Sequence, residues 1–287
     1  MMNKLYVPIE IPFMFFYNKT TETKSSPLTP FHRHNAYEIF LFLGGNRKVC
    51  IDNQCFICEP GDLFLIGPET LHAGLCGEAC EYERIVVNVK EEFLQQLSCD
   101  EMDFCKAFEC GEKNPVKRIR LGYQDMKKIK TIYEDFENAR KQSGCGQKLL
   151  TDTYILQLLI LICRWLQQGD MQSRSDNIMP QVVSDVMAYI QDNLTEELTV
   201  ESLSKKFYFQ DRYLSKVLKK YTGLTLRTYI LDCRIARAKK LLCEGYNVSE
   251  VCYKAGFNDY ANFLRSFKKH VGISPGKYVS QRRNDIR

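Results

Sequence analysis

The stretch GFNDYANFLRSFKKHVGISPGKYV, residues 256–279, decides the fold of the C-terminal third of the chain. Phe263 and Phe267 lie four positions apart in its middle, a spacing that puts them on one face of a helix. Gly272 is the type of residue that ends a helix, and Pro275 suits the first turn of the next one. The stretch therefore predicts a turn, a helix, a sharp stop and the start of a second helix.

This pattern also occurs 49 residues earlier, so the C-terminal third contains an internal repeat. The aligned pairs are Leu214 with Phe263, Leu218 with Phe267, Lys219-Lys220 with Lys268-Lys269, Gly223 with Gly272, Thr225 with Ser274 and Tyr229 with Tyr278. Each copy predicts two short helices joined by a turn, 200–207 and 211–222 in the first copy and 248–255 and 259–271 in the second. Such a helix-turn-helix unit places its second helix in the major groove of DNA.

The segment between the copies, residues 226–245, is amphipathic and predicts one rigid connecting helix. Two units joined in this way would address successive major grooves about 34 Å apart, one turn of the duplex. Charge favours the same partner. Residues 176–287 contain 19 Lys and Arg against 12 Asp and Glu, a net charge of +7, whereas the whole chain has only +5. A basic third attached to a slightly acidic remainder is typical of a polyanion-binding module joined to a second domain.

Residues 256–279 resemble the signature of the AraC-type (arabinose-operon regulator-like) transcription factors, which reads GF-x-D-x-x-x-F-x-R-x-F-K-K-x-x-G-x-S-P-x-x-Y. The matching positions are Gly256, Phe257, Asp259, Phe263, Arg265, Phe267, Lys268, Lys269, Gly272, Ser274, Pro275 and Tyr278. The first copy departs from the family at Gln210, where Ser is the usual helix N-cap, and at Leu218, where Phe is frequent. The resemblance implies a sequence-specific regulator that binds double-stranded DNA.

By this resemblance, the outward faces of the two recognition helices are directed at base edges. The expected base-contacting residues are Arg212, Ser215, Lys216, Tyr260, Ala261, Asn262 and Arg265. Arginine can pair with guanine and asparagine with adenine through two hydrogen bonds each, whereas base and phosphate contacts are equally open for Lys216. Lys219, Lys220, Lys268 and Lys269 lie later in their helices and are expected at phosphates or in solvent.

Upstream, residues 5–90 predict short strands separated by turns at Gly44-Gly45-Asn46 and Pro60-Gly61-Asp62, a pattern typical of a barrel or sandwich. A helical stripe follows at Tyr123, Met126, Ile129, Ile132, Tyr133 and Phe136, and a second apolar helix at 148–167. The predicted fold class is therefore α+β with two domains. Residues 1–167 would form a cupin-like β-barrel with a helical dimerisation hairpin, 168–178 a linker, and 179–287 an all-α double helix-turn-helix domain.

The barrel prediction includes a candidate ligand site in FHRHNAYEIF, residues 31–40. His32, His34 and Glu38 stand at even positions, so on a strand they would share one face. HRHNAYEIFLFLGG resembles the first cupin motif, completed by Gly45, and GDLFLIGPETLH resembles the second, which supplies His72. Three imidazoles and a carboxylate suit Fe, Mn, Ni or Zn. The open alternatives are a divalent metal site and a metal-free effector pocket formed by the same four residues.

Two functions are consistent with this pattern. The first, favoured by the repeat, is a homodimeric transcription factor, not an enzyme, whose cupin domain senses a small molecule such as a sugar or a metal-linked ligand. The second is a cupin metalloenzyme with an accessory nucleic-acid-binding tail. The apolar run LLILIC at 158–163 is too short to span a bilayer, and no signal peptide is evident, so a cytoplasmic protein is expected. Thirteen cysteines then favour reduced thiols over a disulfide framework. A four-cysteine zinc site at Cys55, Cys58, Cys76 and Cys80 is the weaker alternative.

Overall fold

A computed structural model of the chain describes residue 6 and residues 9–22, 29–76, 80–109, 117–168 and 179–285. Two antiparallel sheets form the N-terminal half. The strands are β1 Phe13–Glu22, β2 Thr29–His32, β3 Tyr37–Gly44, β4 Arg47–Ile51, β5 Gln54–Ile57, β6 Asp62–Ile66, β7 His72–Cys76, β8 Cys80–Val89 and β9 Lys117–Arg120. One sheet has the order β1-β8-β3-β6-β9 and the other the order β2-β7-β4-β5. The predicted linker lies almost wholly outside the described residues.

Alternation along the strands divides the apolar residues of the larger sheet between two faces. Ile39 and Leu41 of β3 belong to a cluster that helices cover. Phe40 and Phe42, one position on in each case, belong to a different cluster, which includes Val49 of the smaller sheet. The two sheets therefore face each other across Phe40 and Phe42, and the helices close the outer face of the larger sheet.

Four helices are described in this half of the chain, α1 Glu91–Leu97 and α2 Phe104–Phe108 before β9, and α3 Tyr123–Lys141 and α4 Gln147–Gln168 after it. The predicted stripe on α3 is correct at its centre, where Ile129, Ile132 and Phe136 are buried against the sheet and α4. It is wrong at Tyr123, the first residue of α3, which is 73% exposed. Residues 147–167 are long and apolar enough to cross a membrane, with a mean hydropathy of 1.5, although a helix that packs in a folded core can meet the same criterion.

The described residues 179–285 form seven helices: α5 Gln181–Asp192, α6 Val200–Phe207, α7 Asp211–Thr222, α8 Leu226–Cys243, α9 Val248–Lys254, α10 Tyr260–Val271 and α11 Pro275–Asp285. Both predicted helix-turn-helix units are present, as α6–α7 and α9–α10. Gly223 and Gly272 end the recognition helices in the left-handed conformation. Asp259 caps α10 with its side chain, whereas Gln210 at the start of α7 makes no side-chain cap.

The connecting helix α8 belongs to both cores of the C-terminal third. Tyr229 and Ile230 in its first half pack with the first unit and with α5. Ile235 and Leu242 in its second half pack with Phe263 of the second unit and its neighbours. A single helix buried in two successive cores resists bending at the middle, so the two recognition helices keep a fixed relation to each other.

The two halves of the chain also share a core. Phe31, Leu71 and Ala73 of the sheet half pack in one cluster with Met179 and Val183 at the start of the C-terminal half. The smaller sheet therefore packs directly against the domain that contains the helix-turn-helix units.

The cysteine prediction needs correction at one position. Cys50 and Cys55 stand directly opposite each other in the β4–β5 hairpin, a cross-strand geometry that brings their Cα atoms to 4.0 Å, and their sulfurs form a disulfide. The expectation of reduced thiols is therefore wrong for this pair. Cys55 is not available to the four-cysteine zinc site, and Cys58 lies apart as a buried free thiol. The side chains of Cys76 and Cys80 lie outside the described set.

Candidate effector pocket and nucleic-acid interface

A cavity of about 330 Å³ lies between the two sheets, within the range of small-molecule sites. Its wall is largely apolar, with Ile9, Met14, Phe16, Phe40, Val49, Ile66, Ala73 and Val86. The alternate residues Tyr82, Arg84, Val86 and Asn88 of β8 all line it, as one face of a strand requires. His32, His34, Glu38 and His72 gather around the Asn88 end, and Arg84 stands four residues along the strand.

All four residues predicted for the pocket therefore meet at one place, but not on one strand. The expectation that His32, His34 and Glu38 share a face held only if residues 31–40 were one strand, and the structure divides this segment between β2 and β3. His32 ends β2 and pairs with His72 of β7 in the smaller sheet. The chain then turns, and Glu38 lies on β3 in the larger sheet, paired with Asn88 of β8. The histidines and the carboxylate converge because the segment crosses from one sheet to the other.

Backbone carbonyls fix the orientation of two of the imidazoles. His34 Nδ1 lies 2.9 Å from the carbonyl oxygen of Ala36, and His72 Nδ1 lies 2.9 Å from that of Thr70. Because a carbonyl only accepts, each Nδ1 carries the hydrogen and each Nε2 points into the cavity. His34 Nε2 is 2.9 Å and His72 Nε2 is 3.6 Å from Oε2 of Glu38.

Glu38 is held from the other side by Asn88, whose Nδ2 donates to Glu38 Oε2 at 2.9 Å and lies 3.3 Å from His34 Nε2. Burial alone would raise the pKa of Glu38, but the facing His72 and His34 outweigh it and hold the pKa well below its usual range. Burial alone would lower the pKa of His72, but Glu38 raises it above its ordinary value. The buried carboxylate of Glu38 therefore stabilises positive charge on the groups next to it.

Asn88, Tyr82 and Arg84 were not predicted as pocket residues. Their signal is the alternation in EYERIVVNV, residues 81–89, where every second residue from Tyr82 to Asn88 faces the cavity. Polar residues on the inward face of a strand are rare in a core and indicate a ligand wall.

A second unpredicted feature joins the pocket to the helical half. Arg33, between His32 and His34, is buried, and its guanidinium lies 2.5 Å from Asp232 of α8. It also donates to the carbonyl oxygen of Glu69, and the Glu69 side chain pairs with Lys239 of α8. Burial alone would lower the pKa of Arg33, but Asp232 raises it above its ordinary value. Asp232 and Lys239 lie seven residues apart, on one face of α8.

The predicted DNA-contacting residues lie on the exposed faces of α7 and α10. Exposed side chains are Arg212, Lys216, Lys219, Lys220, Tyr260, Ala261, Asn262, Arg265, Lys268 and Lys269, and Ser215 is half-buried. In the described part of the chain, Arg212, Lys216 and Arg265 form no salt bridge. Asn262 also borders a cleft between the two helix-turn-helix units and accepts a hydrogen bond from Ser266.

Sequence reasoning missed two exposed aromatic residues beside α7. Phe209 in the turn and Tyr213 in the helix stack with ring centroids 5.3 Å apart, and both are more than a third exposed. The aromatic run FYF at 207–209 was the available signal. Arg234 of the connecting helix donates to the carbonyl oxygens of Leu194 and Glu196 at 3.0 Å each.

A largely apolar cavity in one half and two helix-turn-helix units in the other are the features of one class of protein, the regulators that bind both a ligand and DNA. The AraC-like ligand binding domain family matches residues 22–178, more than half of the chain, and a helix-turn-helix domain family matches residues 203–281. The chain belongs to the AraC family of transcriptional regulators.

Two relatives and one solved structure show the range of similarity. The HTH-type transcriptional activator RhaS of Salmonella arizonae is 31% identical over 252 residues, 86% of each chain. The uncharacterized HTH-type transcriptional regulator YtdP of Bacillus subtilis is 30% identical over 113 residues, and the match spans 39% of this chain but only 15% of YtdP. The structure of ToxT from Vibrio cholerae with an unsaturated fatty acid bound is 14% identical, with a TM-score of 0.40 over 93% of this chain and 94% of that one.

Proposed function

We propose that this AraC-family regulator binds a small effector in the cavity between its sheets, and that the effector sets the position of both recognition helices. The observation that carries the proposal is the buried ion pair between Arg33 and Asp232. Arg33 lies between two cavity residues, and Asp232 lies on the helix that belongs to both helix-turn-helix cores. A change at the cavity wall is therefore transmitted to both DNA-binding units.

The thermodynamic requirement is a difference in effector affinity between two arrangements of the halves. The docked arrangement buries Arg33, Asp232 and Lys239 together. Separation of the halves would return these charges to water and so recover their hydration free energy. The same step would lose the electrostatic attraction between them. These two large contributions oppose each other, so the free-energy difference between the arrangements is small compared with either. An equilibrium balanced in this way is one that a modest binding energy can shift.

For DNA recognition we propose base contacts from Arg212, Ser215, Lys216, Tyr260, Ala261, Asn262 and Arg265. Phosphate contacts are assigned to Lys219, Lys220, Lys268 and Lys269. The exposure of these side chains supports this assignment. So does the lack of a salt bridge at Arg212, Lys216 and Arg265 among the described residues. The two units would occupy successive major grooves about 34 Å apart.

We also propose a homodimer formed through the α3–α4 hairpin. Leu149 and Leu150 in the first turns of α4 are 70% and 43% exposed, and Tyr123 at the start of α3 is 73% exposed. Leu149 and Leu150 lie at the turn end of the hairpin and Tyr123 at its opposite end, and exposed large apolar side chains of this kind are typical of an interface. The cupin-like barrel, the domain boundaries at 167 and 179, a cytoplasmic location and the absence of an enzymatic reaction complete the proposal.

The test begins with selection of bound sequences from a random duplex pool by the full-length protein. We expect a motif of two half-sites one helical turn apart. The double variant Arg212→Ala/Arg265→Ala should retain its circular dichroism spectrum and lose the motif, while Arg140→Ala, an exposed arginine in the sheet half, should keep it. Unchanged sequence preference in the double variant would refute the proposed recognition surface.

A further inference from the structure

The Cys50–Cys55 disulfide lies in the core that the two halves of the chain share. Cys50 of β4 and Cys55 of β5 are buried, at 0% and 2% exposure. They belong to the cluster that contains Ala73 of β7 on the sheet side and Met179 and Val183 on the helical side. A chemical change at these two sulfurs is therefore a change in the packing between the halves.

The turn between the two cysteines takes part in the same interface. Asp52 in this turn donates its backbone N–H to the carbonyl oxygen of Leu71 at 2.7 Å, and its side chain accepts a hydrogen bond from Gln191 of α5. Burial raises the pKa of Asp52 above its ordinary value, although the nearby Arg33 guanidinium opposes this effect. The hairpin thus lies beside both α5 and the residue whose ion pair with Asp232 reaches α8.

The disulfide is a weak structural cross-link. A cross-link stabilises a fold mainly by restricting the unfolded chain, and the effect grows with the length of chain between the joined residues. Here the cysteines are only five positions apart, in a hairpin whose strands already pair from Lys48 and Ile57 to Ile51 and Gln54. Reduction would therefore leave β4 and β5 paired, and its effect would fall on the packing around the sulfurs.

Two thiols need more room than one disulfide, because their sulfurs separate to van der Waals contact and each carries a hydrogen. Protein cores are close-packed, so added volume displaces neighbouring groups at a cost in free energy. On the sheet side, Cys50 is fixed by strand pairing with both Cys55 and Ala73. The helices of residues 179–285 meet the hairpin through side chains and shift more easily than hydrogen-bonded strands. Reduction should therefore weaken the docking of the helical half.

The buried sulfurs are shielded while the halves are docked. Thiol–disulfide exchange requires a thiolate to attack a sulfur directly, so its rate depends on access. A reductant can therefore reach Cys50 and Cys55 when the interface opens, and the reduced pair then disfavours its closure. Docking protects the disulfide, and the disulfide supports docking.

We propose that Cys50 and Cys55 form a reversible dithiol–disulfide site in the interface between the two halves, and that its oxidation state sets the affinity of the protein for DNA. The inference rests on the proposed function, because it uses the same docked interface to reach both helix-turn-helix units. The disulfide form favours the docked arrangement, and the dithiol form favours separation of the halves.

The reaction partner is a dithiol. Its thiolate attacks one sulfur of the pair, forms a mixed disulfide and releases the other cysteine as a thiolate, which takes up a proton. The second thiol of the partner then displaces the remaining cysteine. Two electrons and two protons pass to Cys50 and Cys55, and the partner becomes a disulfide. Oxidation follows the same steps in reverse, with a disulfide as the oxidant.

The experiment equilibrates the full-length protein in mixtures of reduced and oxidised dithiothreitol. Alkylation followed by mass spectrometry measures the oxidised fraction of Cys50 and Cys55, and hydrogen exchange measures the docking of α5. Protein with the pair reduced should exchange at α5 roughly fivefold to a hundredfold faster, the range expected for overpacking a core. Its affinity for the selected duplex should change over the same titration, while β3 and β8 remain protected.

Two variants identify the cysteines responsible. Cys50→Ala/Cys55→Ala removes the site, so its α5 exchange and duplex affinity should be the same in every mixture. Cys99→Ala/Cys145→Ala/Cys243→Ala is the matched control, since it removes the free thiols that are exposed in the described part of the chain. This triple variant should keep the response of the unaltered protein, because disulfides between molecules are not its source.

The rate of reduction tests the role of docking. Excess dithiothreitol should reduce the pair faster in Arg33→Ala, which loosens the interface, than in the unaltered protein. Arg118→Ala breaks an ion pair with Asp62 within the sheet half, so it should leave the rate unchanged. Equal rates in Arg33→Ala and the unaltered protein would contradict the shielding of the disulfide by the helical half.

Equal duplex affinity and α5 exchange in the oxidised and reduced protein would overturn the proposal. So would a response that persists in Cys50→Ala/Cys55→Ala, or alkylation that finds both cysteines reduced in every mixture. If the alanine variant fails to fold, alkylation of the unaltered protein decides, because a response that titrates with other cysteines also overturns the site. Loss of sequence preference in both oxidation states would instead count against the proposed regulator function.

Discussion

Among single residues, Asn88 orients the carboxylate of Glu38 in the cavity. It donates to Glu38 at 2.9 Å from the adjacent strand, so it keeps the carboxylate directed at the histidines. Asn88→Ala should lower the free energy of unfolding by about 1.5–3 kcal/mol, because the buried carboxylate of Glu38 loses a hydrogen bond, as measured by chemical denaturation. Asn258→Ala, an exposed asparagine before α10, is the control. An unchanged stability in Asn88→Ala would show that Glu38 needs no support from Asn88.

The lysines at the end of α10 belong to the same scale. Lys268 and Lys269 are exposed in the last turns of the recognition helix, where a side chain reaches the phosphate backbone more readily than the bases. Lys269→Ala should therefore weaken binding to the selected duplex and to random duplex alike. The slope of log affinity against log salt should fall by about 1 for one lost phosphate contact. A loss confined to the selected sequence would place Lys269 at a base edge instead.

At the scale of elements, the turn between α9 and α10 in the second helix-turn-helix unit contains a glycine that no other residue can replace without strain. Gly256 adopts φ +91°, and an added Cβ would lie 1.9 Å from the carbonyl oxygen of Leu194 and 2.9 Å from Nε of Arg234. Gly256→Ala should destabilise the protein by at least about 2 kcal/mol, since it combines backbone strain with a clash against backbone. Chemical denaturation measures this. Gly276→Ala, in the open first turn of α11, should be near neutral.

The attachment of α3 to the sheet is sensitive to acid. Glu83 of β8 lies 2.5 Å from Lys130 of α3 and accepts a hydrogen bond from Tyr17 at 2.9 Å. Burial alone would raise the pKa of Glu83, but the Lys130 and Tyr17 hydrogen bonds lower it. A carboxyl with a lowered pKa stabilises the fold above its unfolded value, about 4.3 for glutamate, and this contribution is lost as the pH falls through the folded value.

Glu83→Gln should therefore lower the melting temperature at pH 7 and have little effect near pH 3. Lys130 is 40% exposed, so solvent screening keeps the difference at pH 7 below about 1 kcal/mol. Thermal melts of both proteins across this pH range test the prediction. A deficit in the variant that persists at pH 3 would assign the effect to packing rather than to charge.

The sequence predicted elements with local signals and missed relations between elements. The recognition helices 211–222 and 259–271 were placed to within one residue, because a glycine ends each of them and Asp259 caps the second. The break between β2 and β3 within residues 31–40 was not visible in the sequence, since the turn after His34 has no glycine or proline. The Cys50–Cys55 disulfide depends on strand register, which two cysteines five positions apart do not specify. The four residues predicted for the pocket do line one cavity, and their role as an effector or metal site stays a prediction.

At the scale of the whole molecule, the most important contact is the ion pair between Arg33 and Asp232, which lie 199 residues apart in the sequence. No local sequence pattern predicts this pair. Arg33 and Asp232 are both charged and both buried, at 6% and 3% exposure. Read alone, Asp232 is a polar residue of an amphipathic helix, and its partner becomes evident only when the two halves are placed together. Contacts of this kind cannot be predicted from local sequence patterns, because they depend on how two domains dock.

Removal of this pair should loosen the docking without unfolding either half. Arg33→Ala leaves Asp232 buried without its partner, a change that destabilises a buried pair strongly. Hydrogen exchange should then accelerate in α8 and in residues 29–34, while the cores of β3 and β8 remain protected. Affinity for the selected duplex should change in the same variant, because α8 packs in the cores of both helix-turn-helix units.

Arg118→Ala is the matched control, since Arg118 and Asp62 form an equally buried ion pair, at 2.8 Å, within the sheet half alone. That variant should lose stability, yet keep the exchange rates of α8 and the duplex affinity of the unaltered protein. A double-mutant cycle of Arg33→Ala with Asp232→Ala should give a coupling energy of about 0.5–3 kcal/mol in the stability of the docked state. If Arg118→Ala altered duplex affinity as much as Arg33→Ala does, the effect would be general destabilisation. The path from cavity to DNA would then have to run elsewhere than through the face of α8 that carries Asp232 and Lys239.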